Sequence, residues 1–356
     1  MVELKNSGVE VIAVCRPGSK IYQFLSTRDL RCVFLPSYRK IDRSSIKLIR
    51  SLADECDARV FHVHFHRDIW LASLALRGDH QRKLYLSIYM GVGRKKDIFH
   101  RWIYSRVDGL FTSSQELNSR LPDLYPVAKE KIHYLPYGRR VADYAVDPEK
   151  RGMIRARHGI SNEQIVVGTM VRLDPGKGVI DFAKSMEALN SEDRAHCRYI
   201  IVGEPTRKGS HKPGESPYEE HCERYYQEIL AYIRKQGLVD KFVFVGFQED
   251  TIGYLSAMDI FVFPSKDELY SLVVLDAMCL RLPIVAARAG GNLHQITDSV
   301  SGLFYEVSNS GDLARKIATY LHSPDLRRAH GNAARRFVEK EHSMKEIINR
   351  LMLFYA

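Results

Sequence analysis

The chain has 356 residues, 45% of them hydrophobic, which is more than one core usually organises, so two domains are expected. No window approaches the roughly 18 uninterrupted apolar residues of a spanning helix, and the opening MVELKNSGVEVIAVCRPG lacks the charged-then-apolar layout of a signal peptide, so a cytosolic protein is expected. The net charge of +10 is uneven: residues 1–150 hold 26 Lys and Arg against 17 Asp and Glu, leaving the remainder near neutrality. A basic front half can meet nucleic acid, anionic lipid or a phosphorylated ligand, or serve solubility alone. The six cysteines, at 15, 32, 56, 197, 222 and 279, show no CxxC pair and no His at finger spacing; they read as buried, reduced thiols rather than as a zinc or disulfide framework.

In chain order, short β-branched runs alternate with helical patterns, the signature of parallel sheets covered on both faces. The front half offers VEVIAV, RCVFLP, RVFHVHF, KLYLSIYM, GLFTSS and KIHYLPYG. A polar stretch, RRVADYAVDPEKRGMIRARHG, loses apolar periodicity and carries Pro148, which places the expected domain boundary near residues 140–163. The pattern then restarts with IVVGTMVRL, YIIVGE, FVFVGF, IFVFPS, PIVAAR and GLFYEV. Between these, EPTRKGSHKPGESP reads as a mobile surface loop, and YEEHCERYYQEILAYIRKQG as an amphipathic helix stopped by Gly237, its tyrosines used in packing.

Two segments carry chemistry. In GTMVRLDPGKGVIDFAKSM a strand ends near Leu173 and a helix begins near Val179, so Arg172 and Lys177 flank a strand-to-helix junction whose free helix amides suit an anion. It is neither a Walker A loop, having Val171 and Gly178 where Gly and Ser or Thr are needed, nor a dinucleotide fingerprint; GVGRKK at 91–96 lacks the third glycine and the later acid. In FPSKDELYSLVVLDAMCLRLPIVAARAGG a buried strand is followed by the loop KDELYS and a helix that Ser271 could cap. Glu268 then stands on the loop, Asp276 in the second helical turn, and the amides of residues 269–272 face the same crevice. Two acids for hydroxyls with a phosphate between them match the shape of a nucleotide-sugar. Unassisted, the pair also reads as a loop acid and a helix acid bound to an Arg. His62, His64 and His66 alternate along one strand face, but no carboxylate or Cys stands at ligand spacing, and no metal is expected.

Taken in order, RLDPGKG, YIIVGE, FVFVGFQED, LSAMDIFVFPSKDELYSLVVLDAM, LPIVAARAGG and SGLFYEV resemble the C-terminal half of the retaining family 4 glycosyltransferases of GT-B fold. VCRPGS, VHFHRDIWLA, KKDIFHRWIYSRVDGLFTSS and KIHYLPYG are similar to members that build bacterial cell-surface polysaccharides. The resemblance implies an α/β protein of two Rossmann-like domains, with mostly parallel sheets facing a central cleft: an acceptor domain at 1–150, a donor domain at 160–335, and a helix at 340–356 packing back on the first. It implies a retaining, metal-independent transferase, without cofactor, moving a sugar from a nucleotide-diphosphate donor to a glycan or lipid-linked acceptor at the inner face of the cytoplasmic membrane, in peripheral contact with anionic lipid. Arg172 and Lys177 match the pair that neutralises the diphosphate, Glu268 the first acid of the E-x7-E motif, and Asp276 the second, ribose-binding one. Leu269, Ser271 and Leu272 complete the donor set, and Arg67, Asp68, Tyr89, Arg94, Lys95 and Lys96 fall on the acceptor side.

The chain departs from the pattern at four points: Asp276 in place of Glu, Tyr270–Ser271 in place of Phe–Gly, His294 where Glu is common after the glycine pair, and Tyr89 where many members carry His. They raise the alternative of a sugar-binding protein without turnover; a nucleic-acid-binding protein and a GT-B epimerase are the remaining ones. MVELKNSG resembles the tail of the family's first helix, so an opening strand and turn are expected ahead of Met1.

Overall fold

Each of the twelve apolar runs holds all or most of a strand, and every pairing between named strands is parallel. The computed structural model describes all residues except 38, 92 and 210–214, and divides into two units, Met1–Gly138 with Met344–Ala356, and Arg139–Ser343.

In the first unit the chain runs α1 (Val2–Asn6), β1 (Ile12–Cys15), α2 (Lys20–Ser26), β2 (Arg31–Phe34), α3 (Arg43–Glu55), β3 (Val60–Val63), α4 (Ile69–Ala75), β4 (Lys83–Ile88), α5 (Ile98–Tyr104), β5 (Gly109–Thr112), α6 (Gln115–Leu124) and β6 (Ile132–Tyr134). The sheet is in two pieces, β1-β2 and β3-β4-β5-β6. Side-chain caps start four of these helices, where Ser19, Asp42, Asp97 and Ser114 each accept a first-turn amide; Asp68 stands at the cap position of α4 but makes no such bond. The C-terminal helix Met344–Tyr355 belongs to this unit: Leu351 packs with Leu4, Tyr85 and Phe111, and the Tyr85 hydroxyl donates to the Phe354 carbonyl at 2.5 Å.

The second unit runs α7 (Pro148–Arg157), β7 (Ile165–Met170), α8 (Val179–Ala188), α9 (Ser191–His196), β8 (Cys197–Val202), α10 (Glu220–Lys235), β9 (Phe242–Gly246), α11 (Thr251–Ser256), β10 (Ile260–Phe263), α12 (Leu272–Cys279), β11 (Ile284–Ala287), α13 (Asn292–Gln295), β12 (Leu303–Tyr305), α14 (Ser310–His322) and α15 (Pro324–Glu341). Its single sheet has the order β12-β11-β10-β7-β8-β9, and one core cluster brings Phe182, Ile229 and Ile317 from α8, α10 and α14 against Val262 and Val285 on one face of it.

Several expectations need correction. The units part at 138–139, ahead of the 140–163 stretch, because that stretch is not a linker: it contains α7, which docks by charge instead of by an apolar stripe. Arg151 Nη2 pairs with Asp259 Oδ1 at 2.6 Å, and the buried Arg155 bonds the same carboxylate and the Ala257 carbonyl. The thiols of Cys15, Cys32 and Cys56 are only half-buried, whereas those of Cys197, Cys222 and Cys279 are buried. Part of the expected mobile loop, 210–214, lies outside the described residues; its described arms pair, Arg207 with Tyr218, and the Lys208 N–H donates to the Pro217 carbonyl at 2.8 Å. Of the three alternating histidines only His62 lies within β3.

His62 and His64 stack at 4.5 Å between centroids, with His62 bonded to the Tyr355 hydroxyl and to Ser87 Oγ, the latter at 2.8 Å. Burial lowers the His64 pKa to about 4; burial, then the neighbouring His64, lowers that of His62 well below its usual value. An unfolded chain titrates both near 6.5, so between about 4 and 6.5 it holds more protons than the folded one. Stability is therefore fully present above this window and is lost as pH falls through it. Urea midpoints should drop from pH 7 to pH 5, and His64→Gln should reduce the drop; equal pH dependence in both proteins would refute this assignment.

Candidate active site

β7 and β10 are neighbours, yet the chain leaves β7 towards β8 on one side and β10 towards β11 on the other. Where strand order reverses in this way, the onward connections run to opposite sides and leave a crevice beyond the carboxyl ends of the strands. The two loops there touch: the Lys266 N–H donates to the Gly176 carbonyl at 3.1 Å. Gly178 turns the first loop with φ 66°, and a Cβ on it would stand 2.1 Å from the Pro264 carbonyl oxygen, so only glycine lets the loops come this close.

This approach pairs Lys177 with Glu268. Nζ lies 2.5 Å from Oε1, and the side chains are 14% and 25% exposed, so both charges are largely withdrawn from water but still reachable. Glu268 is fixed from behind by the turn after β11, where the Gly291 N–H donates to the Glu268 carbonyl at 2.7 Å. The buried Asn292 carries this support further, its Nδ2 donating to the carbonyls of Ser265 and Ala287. Arg172 is exposed and reaches back along its own loop, Nη1 to Thr206 Oγ1 at 2.9 Å and Nη2 to Asp174 Oδ2 at 3.3 Å. Burial alone would raise the Asp174 pKa, but bonds from Cys222 and Thr206 and the Arg172 charge hold it below the ordinary value.

The helix starts differ from expectation. Ser271 stands at the cap position of α12 but its hydroxyl makes no cap bond, and its amide is already taken by a side chain. Gln295 clamps that peptide, Oε1 accepting the Ser271 N–H at 2.9 Å and Nε2 donating to the Ser271 carbonyl at 2.8 Å. The first turn of α12, beginning at the exposed Leu272, is thus left without a side-chain cap, which suits an anion. At α8, by contrast, the Tyr225 hydroxyl accepts the Ile180 N–H at 3.0 Å, so this helix end is capped from α10. Leu269 contributes its carbonyl to the tight contact with Gly291.

Asp276 is not beside Glu268's cation. Its Oδ1 accepts from Arg139 Nε at 2.5 Å and from the Tyr144 hydroxyl at 2.6 Å, while Oδ2 makes no hydrogen bond among the described residues. Burial, then this hydrogen bond to Asp276, raises the Tyr144 pKa far above its usual value, so Tyr144 stays a neutral donor. Tyr270 turns inward, its hydroxyl 2.6 Å from His342 Nε2. Ser271 in place of glycine costs no backbone strain, because its φ is −97°. His294 is exposed on α13.

In the first unit, the Tyr89 hydroxyl meets His64 Nδ1 at 2.8 Å, and its ring stacks with His64 at 6.0 Å and with Tyr137 at 5.7 Å. Arg67 and Asp68 precede α4; burial raises the Asp68 pKa against the opposing charges of Arg16 and Arg67. Arg94, Lys95 and Lys96 lie on the segment entering α5, where the Lys95 N–H donates to the Leu124 carbonyl at 2.7 Å; Val92 of the same GVGRKK stretch lies outside the described residues. Sequence reasoning missed Arg139, Tyr144, Thr206, Tyr225 and Gln295, none of which sits in a motif. Among the described residues one group has ligand-like spacing, Glu219, His221 and Cys222 at the start of α10, with Cys222 Sγ 3.3 Å from His221 Nε2.

Comparison with known proteins gives the family. Residues 150–337 match the model described as glycosyl transferases group 1 and residues 2–142 that described as glycosyltransferase family 4. The chain belongs to the family 4 glycosyltransferases of GT-B fold. It is similar to a D-inositol 3-phosphate glycosyltransferase of Saccharomonospora viridis, 24% identical over 250 residues, covering 69% of this chain and 55% of that protein. It is 24% identical over 287 residues to the lipopolysaccharide core biosynthesis mannosyltransferase LpcC of Rhizobium leguminosarum, covering 81% of this chain and 75% of the other. The chain spans about half the length of the D-inositol 3-phosphate glycosyltransferases it matches. Its fold is that of a glycosyltransferase of Rickettsia africae (TM-score 0.82, 17% identity, 99% of this chain and 91% of the other). It is equally that of Anabaena HepE, solved with UDP and glucose (TM-score 0.76, 17% identity, 96% and 90%).

A Cβ at Gly291 would stand 2.2 Å from the Leu269 carbonyl oxygen. Gly291→Ala should therefore push the Glu268 loop outward at a cost of about 1–3 kcal/mol, read as a lower melting temperature. An unchanged melting temperature would show that the two loops are not in this contact.

Proposed function

We propose that this chain is a retaining, metal-independent glycosyltransferase of cell-surface polysaccharide synthesis, transferring a sugar from a nucleotide-diphosphate donor to a glycan or lipid-linked acceptor. It would work at the inner face of the cytoplasmic membrane, in peripheral contact with anionic lipid. The observation that carries this reading is the Lys177–Glu268 pair, 2.5 Å apart beside the reversal point of the second sheet. Its cation suits a diphosphate and its anion suits sugar hydroxyls. Similarity to LpcC supports the polysaccharide setting and the GT-B neighbours support a nucleotide-sugar donor.

In the proposed reaction Lys177 and Arg172 take the diphosphate, whose inner charge also meets the uncapped first turn of α12. Glu268, relieved of Lys177, turns to the donor sugar. Asp276 offers Oδ2 to the ribose while Arg139 and Tyr144 hold Oδ1, an arrangement that fixes the shorter acid. The bond between the anomeric carbon and the phosphate oxygen breaks, and the acceptor hydroxyl oxygen bonds that carbon from the same face. The hydroxyl proton passes to the departing phosphate oxygen. Stabilising the leaving diphosphate is then the main electrostatic task, supplied by two cations and helix amides without a DxD-bound metal. Acceptor residues on the first unit are Tyr89, Arg67, Asp68, Arg94, Lys95 and Lys96, with Tyr89 held upright by His64.

Lys177→Ala and Glu268→Ala should each leave a folded protein with transfer reduced by roughly two to three orders of magnitude, as when one preorganised charge contact is lost. Radiolabelled sugar transfer across a panel of nucleotide-sugars measures this, and near-normal turnover by both variants would remove the proposed site. Asp276→Glu tests the ribose contact separately. The longer acid must keep both Arg139 and Tyr144, so donor affinity should change by less than about tenfold; a larger loss would show a pocket built around the shorter side chain.

A further inference from the structure

α5 has two apolar faces. Ile103 and Tyr104 are buried, with Tyr104 edge-on to Tyr125 at 5.2 Å and the Ile103 carbonyl accepting from Ser73 Oγ at 3.0 Å. On the opposite face Ile98 is 75% exposed, Phe99 69% and Trp102 47%, and the preceding Met90 is 70% exposed. Single exposed apolar side chains are ordinary, but 98 and 102 are i,i+4 neighbours and 99 and 102 i,i+3 neighbours, so the three form a contiguous patch.

Cations surround it. Arg94 and Arg101 are exposed, Lys95 and Lys96 half-buried, and Arg101 Nε donates to the Lys96 carbonyl at 3.0 Å, which ties the basic segment to the helix. The Arg77 guanidinium stacks over the Trp102 ring at 4.2 Å and donates to the Trp102 carbonyl at 2.8 Å. Between residues 90 and 104 the one acid is Asp97, which caps α5 and bonds His100. An apolar tip inside a basic collar is complementary to an anionic bilayer, whose headgroups meet the cations while the acyl boundary receives the ring and branched side chains. A second copy fits poorly: a two-fold contact through this patch would set the same cations against one another.

We propose that the exposed face of α5 is a membrane-docking surface, with Ile98, Phe99 and Trp102 entering the boundary between headgroups and acyl chains and Arg94, Lys95, Lys96 and Arg101 binding anionic headgroups. It deepens the membrane setting proposed above and rests on it for purpose, but the test needs neither donor nor acceptor, so the two readings fail separately.

The full chain has two tryptophans, the buried Trp70 and the exposed Trp102, so Trp70→Phe leaves Trp102 as the sole reporter. This protein is titrated with vesicles of phosphatidylcholine, with and without phosphatidylglycerol, at low and high salt. Anionic vesicles should shift the emission to shorter wavelength, brominated acyl chains should quench it, and salt should weaken both effects. Ile98→Ser with Phe99→Ser should lower vesicle partitioning by on the order of tenfold or more, with circular dichroism and melting temperature retained. Absence of shift and quenching, or equal partitioning of this variant, would overturn the proposal. So would binding without quenching, which places the chain on headgroups alone, or a lipid-free shift that grows with protein concentration and vanishes in the variant, which assigns the patch to self-association.

Discussion

The second unit depends on how closely the loop after β7 approaches the loop after β10. Gly178 permits the contact with Pro264, the Lys266 amide closes it on Gly176, and the pairing of Lys177 with Glu268 follows. The two charges satisfy each other. An ion pair so largely removed from water stays modest in net worth because both charges have lost hydration. A diphosphate that replaces the Glu268 carboxylate at Lys177 therefore exchanges one anionic partner for another, and the acid is released towards the sugar. The same contact that steadies the two loops is the one the proposed donor has to open.

Behind these loops lies a polar scaffold that holds them in place. Gln295 grips the Ser271 peptide on both sides, the Gly291 amide holds the Glu268 carbonyl, and Arg139 with Tyr144 secures Asp276 on α12. Asp259 anchors α7 through two arginines and also accepts the Val166 N–H at 2.7 Å, so one carboxylate joins a helix to the start of β7. Each of these groups is largely out of solvent, where leaving one partner unpaired costs more than the bond itself contributes. The geometry of Glu268 and Asp276 is thus set by residues that never need to touch a substrate.

The strands were legible because burial on both faces writes continuous β-branched runs, and the loops bearing Lys177 and Glu268 because glycine, proline and charge interrupt those runs at strand ends. What escaped was set by tertiary polar contacts. α7 has a stripe of arginines where an apolar one was sought, since its partner is Asp259. Ser271 has a capping residue's chemistry, but Gln295, far along the chain, takes its amide. Asp276 matched a motif position without disclosing that Arg139 and Tyr144 already bind it, and both readings of that acid made from sequence, ligand contact and Arg-paired helix acid, describe part of what is seen. The tip of α5 was legible only as charge; that Ile98, Phe99 and Trp102 face outward depends on which side of a short helix the core claims.

The measurement that bears most directly on this account is the affinity of the sugar-free nucleoside diphosphate for the unaltered chain and for Glu268→Gln, by calorimetry, using the nucleotide that most stabilises the unaltered protein against heat. If Lys177 is the diphosphate's cation and Glu268 its competitor, removing that carboxylate charge tightens nucleoside diphosphate binding several-fold while transfer falls. Equal or weaker binding by Glu268→Gln would contradict the account, because it would mean that the Lys177–Glu268 pair is not what the donor has to open.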